Sequence, residues 1–447
     1  MKILKLRNEL LRIGRKIIPK PIFEFFQPAY HFLLAFMGAL IYRFPSRKIT
    51  VIGVTGTKGK TTACNMIAHM LQATGHKTGM TTTVNFRIGD KVWTNEAKQT
   101  MLGRFQLQKM LRRMVDAGCE YAVVETSSEG VLQFRHRFVD YDVAVFLNLS
   151  PEHLDRHKGF ENYRAAKLKL FRRLSKKKSG IGVYNLDDEH VARFVGIPQH
   201  AQYGYTLSHD QVLRYERLRH VVEMADLQLS PAGSTFSVDN INFSLMLAGG
   251  FNVSNAGAAI CVGLSQGVSL DAIQKALASF KGVPGRMEIV PNNKGIAVVV
   301  DYAHEPKSLE AVYKATIETG LKQVDGKLIG MFGATGGGRD RWKRPVMGKI
   351  AAQYCDEIVL TNDDPYDEDP EGIIKEIRAG IDKEGFAKEH VYEVVDRREA
   401  IRKAISLARS GDAVVFAGKG GETVMILEKE RRIPWDERAF VEEELRG

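Results

Sequence analysis

A glycine-rich loop offers the clearest chemistry in the sequence. It reads Gly56-Thr57-Lys58-Gly59-Lys60-Thr61-Thr62, and it lies between a β-branched run at residues 50–54 and a helical stretch. A strand, a glycine turn and a helix N-terminus together present backbone N–H groups to an anion. In such a loop Lys60 contacts the β- and γ-phosphates of ATP, and the Thr61 hydroxyl binds Mg²⁺. The sequence therefore predicts an ATP site with Mg²⁺ as cofactor.

Two nearby segments add acids, histidines and a lysine. Glu125 ends the apolar run Tyr121–Glu125, and a carboxylate in that position beside a phosphate loop commonly holds Mg²⁺, although a solvated loop acid is the alternative. His153 and His157 lie four residues apart, and Lys167 follows them. We do not expect zinc there, because no HExxH pattern and no third ligand accompany the pair. Taken alone, Lys167 is a surface helix lysine.

The second half of the chain repeats this placement of polar residues after strands. Arg286 follows the glycine-proline stretch 281–285, and Asp301 ends a run of valines. We expect Asp301 in a site rather than in a core, and Arg286 within reach of the γ-phosphate once two domains close. Glycine-rich turns at residues 333–341 and 417–422 follow strands on the side where doubly wound sheets bind ligands.

These candidate residues require parallel strands whose carboxyl ends meet. Strand-like and helical runs alternate from Ile49 onward, which predicts α/β architecture. Residues 207–243 favour a small antiparallel sheet, and the alternation restarts after residues 281–285. Strands are predicted at 50–54, 121–125, 142–149, 297–300, 327–332, 357–361, 391–395 and 413–416, and helices at 62–74, 160–174, 251–267, 270–279, 346–354, 371–380 and 397–410. The predicted domains are a helical extension (1–48), a central P-loop-type ATP-binding domain (49–284) and a Rossmann-like, doubly wound C-terminal domain (285–447).

Composition narrows the partners only slightly. A net charge of +11 favours anionic partners in general, whether nucleic acid, an anionic membrane or phosphorylated substrates. Nucleic-acid binding is not expected, because no aromatic-studded basic groove is indicated. The four cysteines form no CxxC pair, which argues against a zinc site or a disulfide framework and is typical of reduced thiols in the cytoplasm.

The first fifty residues differ from the rest. Residues 1–20 carry seven lysines and arginines against one acid, Glu9, and residues 30–42 are almost wholly apolar. That apolar run is shorter than the roughly 20 residues of a spanning helix. Three interpretations stay open: a docked helical hairpin, a peripheral anchor with a basic face, and a transmembrane segment. We expect a cytoplasmic protein, with residues 1–45 as the candidate contact to the inner membrane face.

Ordered pieces of the sequence resemble the Mur ligase superfamily, the ATP-dependent ligases that build peptidoglycan stem peptides. The pieces are TGTKGKTT, ETSSEGVLQFRHR, NLSPEHLDRH with YRAAK, FNVSN, VPGRME, DYAHEP, GGGRDRWKRPVMG and AGKGGE. Within the superfamily they are most similar to the muramyl-tripeptide synthetases of the MurE type. The loop glycines at positions 53, 56 and 59 are offset from the common P-loop spacing, as they are in that family.

The resemblance implies a reaction and a set of site residues. ATP phosphorylates a carboxylate of UDP-N-acetylmuramoyl-L-alanyl-D-glutamate, and the amine of a diamino acid captures the acyl phosphate in a step of cell-wall synthesis. The implied catalytic residues are Lys60, Glu125, His153, Lys167 and Arg286. The implied metal ligands are Thr61, Glu125, His153 and a carbamylated Lys167. The implied ATP contacts are Gly56, Thr57, Lys58, Gly59, Lys60, Thr61, Thr62, Asn255, Arg286, Asp301 and His304. The implied substrate contacts are Thr100, Ser127, Gln133, Arg135, Asp364, Tyr366, Gly418 and Glu422.

The sequence departs from the family pattern at three places. Residues 1–48 do not match the family's uridine-diphosphate-binding domain and are too short to replace it, which leaves the uridine end of the substrate open. A family histidine is replaced by Glu129. Diaminopimelate enzymes of the family carry Asp-Asn-Pro-Arg where this chain has Asp363-Asp364-Pro365-Tyr366, and tyrosine cannot make the ionic fork of arginine. With Glu422 retained, lysine or ornithine is favoured and diaminopimelate stays open. The alternatives are a folylpolyglutamate-type ligase with another acceptor and a non-catalytic Mur-like partner.

Overall fold

Two sheets made mostly of parallel strands carry the fold, with helices on their faces. The structure, a computed structural model, describes residues 20–96, 99–152, 154–338 and 340–447, and of residues 20–25 the backbone alone. The first sheet has nine strands in the order β4-β3-β2-β5-β1-β6-β7-β8-β9, and the second has six in the order β13-β14-β18-β15-β16-β17. β2–β3, β3–β4 and β13–β14 pair antiparallel, and the other neighbours within these two sheets are parallel.

The strands of the nine-stranded sheet are β1 Thr50–Thr55, β2 Thr78–Thr81, β3 Asn85–Ile88, β4 Lys91–Thr94, β5 Tyr121–Glu125, β6 Val143–Phe146, β7 Ile181–Asn185, β8 Ala201–Thr206 and β9 His220–Glu223. A separate antiparallel sheet contains β10 Ala225–Ser230, β11 Gly233–Val238 and β12 Ile241–Leu245. The six-stranded sheet contains β13 Glu288–Ile289, β14 Ala297–Asp301, β15 Leu328–Phe332, β16 Glu357–Leu360, β17 Val391–Glu393 and β18 Ala413–Ala417, and a short ribbon pairs β19 Val424–Ile426 with β20 Arg432–Pro434.

Helices fill the connections between these strands. Those up to residue 278 are Lys20–Ile41, Lys60–Ala73, Arg104–Asp116, Ser128–Leu132, Leu154–His157, Phe160–Leu174, Val191–Val195, His209–Arg214, Gly250–Ser265 and Leu270–Ala278. Those after it are Pro306–Glu318, Lys343–Tyr354, Pro370–Lys383, Arg397–Leu407 and Glu437–Arg446. Short 3-10 turns occur at Pro45–Arg47, Lys388–His390 and Glu428–Glu430.

The expected α/β class is confirmed, and each strand and helix predicted above is present within a few residues of its predicted bounds. The small antiparallel sheet also forms, but β9, inside the same stretch, joins the nine-stranded sheet in parallel. Alternation of polar and apolar residues could not separate the two cases, because an edge strand is exposed on one face whichever way it pairs. The domain bounds at residues 48 and 284 stay a prediction.

Burial around β1 shows how the nine-stranded sheet supports the glycine-rich loop. Val51, Ile52 and Val54 of β1 have no exposed surface, as expected for a central parallel strand covered by helices on both faces. The helix Gly250–Ser265 is buried along most of its length and packs against Lys60–Ala73, the helix that follows the glycine-rich loop. The loop is therefore held between the sheet and a second buried helix.

The helix Lys20–Ile41 docks on the rest of the protein by one side only. Ala35 and Ala39 are buried where it meets the helix Arg104–Asp116. The rings of Phe32 and Phe36 contact the ring of Phe138, with centroids 5.2 and 5.4 Å apart. Across the described residues, no helix has the length and apolarity needed to cross a bilayer. The remaining part of the predicted hairpin, residues 1–19, lies outside the described residues.

Candidate active site

The glycine-rich loop is held in shape by the side chain of Asn148, which follows β6. Its Oδ1 accepts from the backbone N–H groups of Thr57 (3.1 Å) and Lys58 (2.8 Å), and its Nδ2 donates to the Lys58 carbonyl. Gly59 has a φ of 79°, and a Cβ there would lie 2.5 Å from the Asn255 side chain. Glycine is therefore required by both conformation and space, and Asn255 lies against the loop from the buried helix.

Glu125 and Thr61 meet directly beside the loop. The Thr61 hydroxyl donates to Glu125 Oε2 at 3.0 Å, and the backbone N–H and the hydroxyl of Thr83 donate to the same carboxylate. Glu125 is almost completely buried. The carboxylate is therefore fixed in one orientation by three donor groups, next to the loop residue Lys60. The structure thus brings together Thr61 and Glu125, the two residues predicted to share a Mg²⁺ ion, and their role as metal ligands stays a prediction.

Lys167 is buried at the other side of the loop. Its Nζ donates to the Gly56 carbonyl at 2.6 Å and lies 4.6 Å from the centre of the Tyr163 ring. Burial, assisted by the charge of Lys60, holds the pKa of Lys167 well below its usual range. The Tyr163 hydroxyl lies 3.0 Å from the Thr57 hydroxyl. Lys167 is thus a buried lysine aimed at the phosphate loop, not a surface residue.

The other polar side chains around the loop have partners at hydrogen-bonding distance. Lys58 Nζ lies 3.0 Å from Glu152, and Lys60 Nζ donates to the Thr57 carbonyl at 2.8 Å. Burial lowers the pKa of Lys60, and the carboxylates of Glu125 and Glu152 partly offset this. His157 is buried and lies 3.1 Å from the Ser128 hydroxyl. His153 lies outside the described residues, so its predicted role stays a prediction.

The six-stranded sheet brings a second group of residues to the same place. Asp301 at the end of β14 accepts from the Met287 N–H at 2.6 Å, and burial raises its pKa against the effect of Arg286. The Arg286 guanidinium lies over the Tyr302 ring at 4.2 Å. His304 Nδ1 lies 2.7 Å from the Tyr302 carbonyl, and burial holds the pKa of His304 well below its usual range.

Three loops of the C-terminal sheet are tied together around Lys419. Its ammonium group lies 2.8 Å from Asp364, 2.6 Å from Glu422 and 3.8 Å from Asp363. Burial alone would lower the pKa of Lys419, but the carboxylates of Asp363, Glu422 and Asp364 outweigh it and raise that pKa. The Tyr302 hydroxyl donates to the other Glu422 oxygen at 3.3 Å, which connects this cluster to Arg286.

The segment of residues 363–366, the predicted amino-acid selector, has a constrained backbone. Asp364 and Tyr366 have φ values of 44° and 54°, a region that non-glycine residues rarely occupy and that often marks functional loops. The Asp364 carboxylate also accepts from the Ile426 N–H at 2.7 Å. Gly418, with a φ of 115°, lies beside Asp363, where a Cβ would come within 2.7 Å of the carboxylate. The structure therefore brings Asp364, Tyr366, Gly418 and Glu422 close to one another, and their contact with substrate stays a prediction.

A third predicted group lies on the central domain. Gln133 Oε1 accepts from Arg135 Nη2 at 2.7 Å, and Arg135 also donates to the carbonyl of Met101, the neighbour of Thr100. The Ser127 hydroxyl accepts from the Gly130 N–H and caps the helix Ser128–Leu132. These contacts join Gln133 and Arg135 to Met101, the residue after Thr100, and give Ser127 a structural partner.

Some residues that shape the site carry no strong signal in the sequence. Asn148, Thr83 and Tyr163 act only through contacts with residues distant along the chain. Arg397 is completely buried against Glu437, and its guanidinium donates to the carbonyls of Asn362 (3.1 Å) and Ala417 (2.9 Å). It therefore fixes the strand ends that carry the selector and the Lys419 turn. The contact between Arg397 and a helix forty residues later could not be anticipated from spacing.

Comparison with known proteins decides the family. Residues 54–263 match the model of the Mur ligase middle domain, and residues 285–420 match that of the Mur ligase glutamate ligase domain. The UDP-N-acetylmuramoyl-L-alanyl-D-glutamate--2,6-diaminopimelate ligase of Syntrophomonas wolfei is 39% identical over 421 residues, which cover 93% of this chain and 82% of the relative. The chain belongs to the Mur ligase family. The family's members are ATP-dependent amide ligases, so this Mur ligase is an enzyme of that class.

Other similarities agree with this assignment. The UDP-N-acetylmuramyl-tripeptide synthetase of Roseiflexus sp. is 37% identical, with 91% of this chain and 80% of the relative covered. A solved UDP-N-acetylmuramoyl-L-alanyl-D-glutamate--2,6-diaminopimelate ligase is 32% identical, with a TM-score of 0.61, 93% of this chain and 82% of that chain covered. The folylpolyglutamate synthase of Mycobacterium tuberculosis is 18% identical with a TM-score of 0.65, covering 87% and 92%, and it shares the fold.

Proposed function

We propose that this Mur ligase adds a diamino acid to UDP-N-acetylmuramoyl-L-alanyl-D-glutamate in peptidoglycan synthesis, and so serves cell-wall growth, cell shape and division. The observation that carries the proposal is the meeting of Lys60, the Thr61–Glu125 pair and the buried Lys167 at one loop. Opposite this loop, the six-stranded sheet supplies Arg286 and the acidic cluster around Lys419. The loop residues suit phosphate transfer, and the acidic cluster around Lys419 suits an incoming substrate with an ammonium group.

The chemistry needs two displacements. A carboxylate oxygen of the acceptor attacks the γ-phosphorus of ATP, and ADP leaves. The amine then attacks the carbonyl carbon of the acyl phosphate, loses a proton as the C–N bond forms, and inorganic phosphate leaves. In this scheme Lys60 and Arg286 neutralise charge on the transferred phosphoryl group, and the two sheets hold acceptor and amine in position.

The oxygen donors beside the loop fit Mg²⁺. Thr61 Oγ1 and Glu125 Oε2 lie 3.0 Å apart, and hydroxyl and carboxylate oxygens are the ligands that Mg²⁺ prefers. We infer that they hold the ion that accompanies ATP, whose bound charge neutralises the phosphates. His153 and Lys167 are proposed for a second ion. Asn255 is proposed to contact the adenine of ATP and Asp301 the ribose, and His304 is a further proposed residue of the ATP site.

The environment of Lys167 supports its proposed carbamylation. Carbamate forms when a neutral amine attacks CO₂ and loses a proton, and burial keeps this amine neutral at a lower pH than an exposed lysine. The product is an anion close to Lys58 and Lys60, two of the charges that act on Lys167. Conversion to a carbamate therefore replaces a repelled cation by an attracted anion.

A Lys167→Met variant tests this role. Methionine preserves length without an amine, so turnover is expected to fall by about 10²-fold or more, the usual cost of removing one charged contact to a transition state. In ¹³CO₂-enriched buffer, ¹³C NMR of the wild type is expected to show a carbamate signal that disappears in the variant and on acidification. Lys169→Met, at an exposed lysine two residues away, is the control and is expected to retain both turnover and the carbamate signal. Full turnover in Lys167→Met contradicts the role.

The amino-acid end favours a substrate with a distal ammonium group. Three carboxylates, from Asp363, Asp364 and Glu422, lie around Lys419, and an acidic cluster of this kind supports a substrate that carries an ammonium group. Tyr366 stands where diaminopimelate enzymes of the family place an arginine for the distal carboxylate. The Syntrophomonas wolfei relative and the solved ligase that is 32% identical are both named for diaminopimelate. We nevertheless propose lysine or ornithine for this chain.

Phosphate release with purified protein, ATP, Mg²⁺ and UDP-muramoyl dipeptide tests the reaction and the amino acid together. We expect release on addition of lysine or ornithine and weaker release with diaminopimelate. Tyr366→Arg should shift the preference toward diaminopimelate by roughly ten- to a hundredfold, because a charged hydrogen bond contributes about 1.5–3 kcal/mol. Tyr366→Phe is the control and keeps the wild-type order. Phosphate release with no amino acid at all would overturn the function, and wild-type preference for diaminopimelate would overturn the substrate.

We also propose that the protein works in the cytoplasm, with the helix Lys20–Ile41 on an anionic membrane surface. Its outer face is a row of exposed apolar side chains, of which Leu33 and Ile41 are 57% and 56% exposed. Residues 1–19, which precede the helix, carry six lysines and arginines against one acid. An apolar face beside a basic segment is the pattern of an interfacial helix on anionic lipid.

Co-sedimentation with lipid vesicles tests whether this helix face binds an anionic membrane or a second copy of the chain. We expect binding to phosphatidylglycerol-containing vesicles and weak binding to pure phosphatidylcholine. The double change Leu33→Asp and Leu40→Asp should lower binding at least about tenfold, since each leucine loses burial in the lipid. Leu213→Asp, at an exposed leucine elsewhere, is the control. Unchanged vesicle binding by the double variant contradicts the proposal. It is also contradicted if light scattering shows that the wild type is a dimer and that the same two substitutions make it a monomer.

A further inference from the structure

Two loops from different sheets bring three metal-binding side chains together. Glu152 follows β6 of the nine-stranded sheet, and His304 and Glu305 follow β14 of the six-stranded sheet. One ligand atom from each of the three lies within 4.8 Å of the other two. Glu152 and Glu305 are each 6% exposed. The cluster therefore spans the two halves of the protein and is shielded from bulk water.

The hydrogen bond of His304 defines which ring nitrogen can bind a metal. Nδ1 lies 2.7 Å from the Tyr302 carbonyl oxygen, and because a carbonyl only accepts, Nδ1 carries the proton. In the neutral ring Nε2 then has an available lone pair. Histidines that bind metals are usually oriented this way, with the second nitrogen donating to a carbonyl or carboxylate.

Glu305 supplies the second, independent observation. Lys343 donates to its Oε1 at 2.7 Å. The other oxygen, Oε2, is buried and has no hydrogen-bond partner in the described part of the chain. A buried carboxylate oxygen without a hydrogen-bond partner is energetically unfavourable. A cation between Glu305, His304 and Glu152 would remove that cost.

Glu152 links the cluster to the phosphate loop. Its partner Lys58 belongs to that loop and lies 3.0 Å away. Nucleotide phosphates attract the same ammonium group, so binding of ATP competes with Glu152 for Lys58. A cation between Glu152, His304 and Glu305 would therefore depend on whether nucleotide occupies the loop.

We propose that Glu152, His304 and Glu305 form a divalent-cation site that joins the two halves of the protein when nucleotide is bound. The site is separate from the Thr61–Glu125 pair, because two of its ligands lie in the loop that follows β14 of the six-stranded sheet. Two carboxylates and one imidazole suit Mn²⁺ or Zn²⁺ better than Mg²⁺, which prefers oxygen ligands alone. The site adds a contact between the halves without requiring the amino acid.

Counting bound manganese tests the proposal independently of ligase activity. The full-length protein is mixed with a non-hydrolysable ATP analogue and Mn²⁺, and electron paramagnetic resonance gives the number of Mn²⁺ ions per bound nucleotide. We expect Glu305→Gln to bind one Mn²⁺ fewer than the wild type. Glu318→Gln, at an exposed acid on the following helix, is the control and keeps the wild-type number.

Folding of the variants is checked by thermal unfolding. If Glu305→Gln does not unfold cooperatively, Glu152→Gln decides, because it removes a ligand from the other half of the site. The loss of one ion in a folded variant supports the site. Equal numbers of ions in the wild type and in the folded variants overturn it, whatever the ligase assay shows.

Discussion

The carbonyl of Gly56 and the amine of Lys167, 2.6 Å apart and buried, set the main physical constraint on this protein. The phosphate loop must hold charges in a place from which water is excluded, where each one needs a partner. Asn148 fixes the loop backbone, three donor groups fix Glu125, and Tyr163 covers Lys167. A rigid, dry arrangement of this kind strengthens each electrostatic contact with ATP.

The same constraint explains why the ligase needs two sheets. In parallel sheets the loops after the strands gather at one edge, and here the edges of two sheets meet. One edge carries the phosphate loop and Lys167, and the other carries Arg286 and the Lys419 cluster. The contact between the Tyr302 hydroxyl and Glu422, beside the Arg286 guanidinium, is the physical connection from the phosphate side to the proposed amino-acid side.

Much of this could be predicted from local sequence. The β-branched run 50–54 predicts a strand, and Val51, Ile52 and Val54 are indeed buried. The glycine-rich sequence predicts a tight loop, and Gly59 has the positive φ of such a turn. The loop and the strand end that follow this pattern predicted Lys60 and Glu125, and the family resemblance added a role for Lys167. Asn148, Tyr163 and Arg397 were not predicted, because their roles depend on partners roughly 35–110 residues away, and asparagine, tyrosine or arginine at such positions has many ordinary uses.

In the proposed mechanism ATP activates a carboxylate before the amine attacks. The most direct test uses the muramoyl-dipeptide acceptor labelled with ¹⁸O in its reacting carboxylate, with ATP, Mg²⁺ and lysine. If an acyl phosphate forms, one ¹⁸O atom per turnover moves into inorganic phosphate, which ³¹P NMR or mass spectrometry detects. Phosphate without the label, released in step with amide formation, would contradict the account.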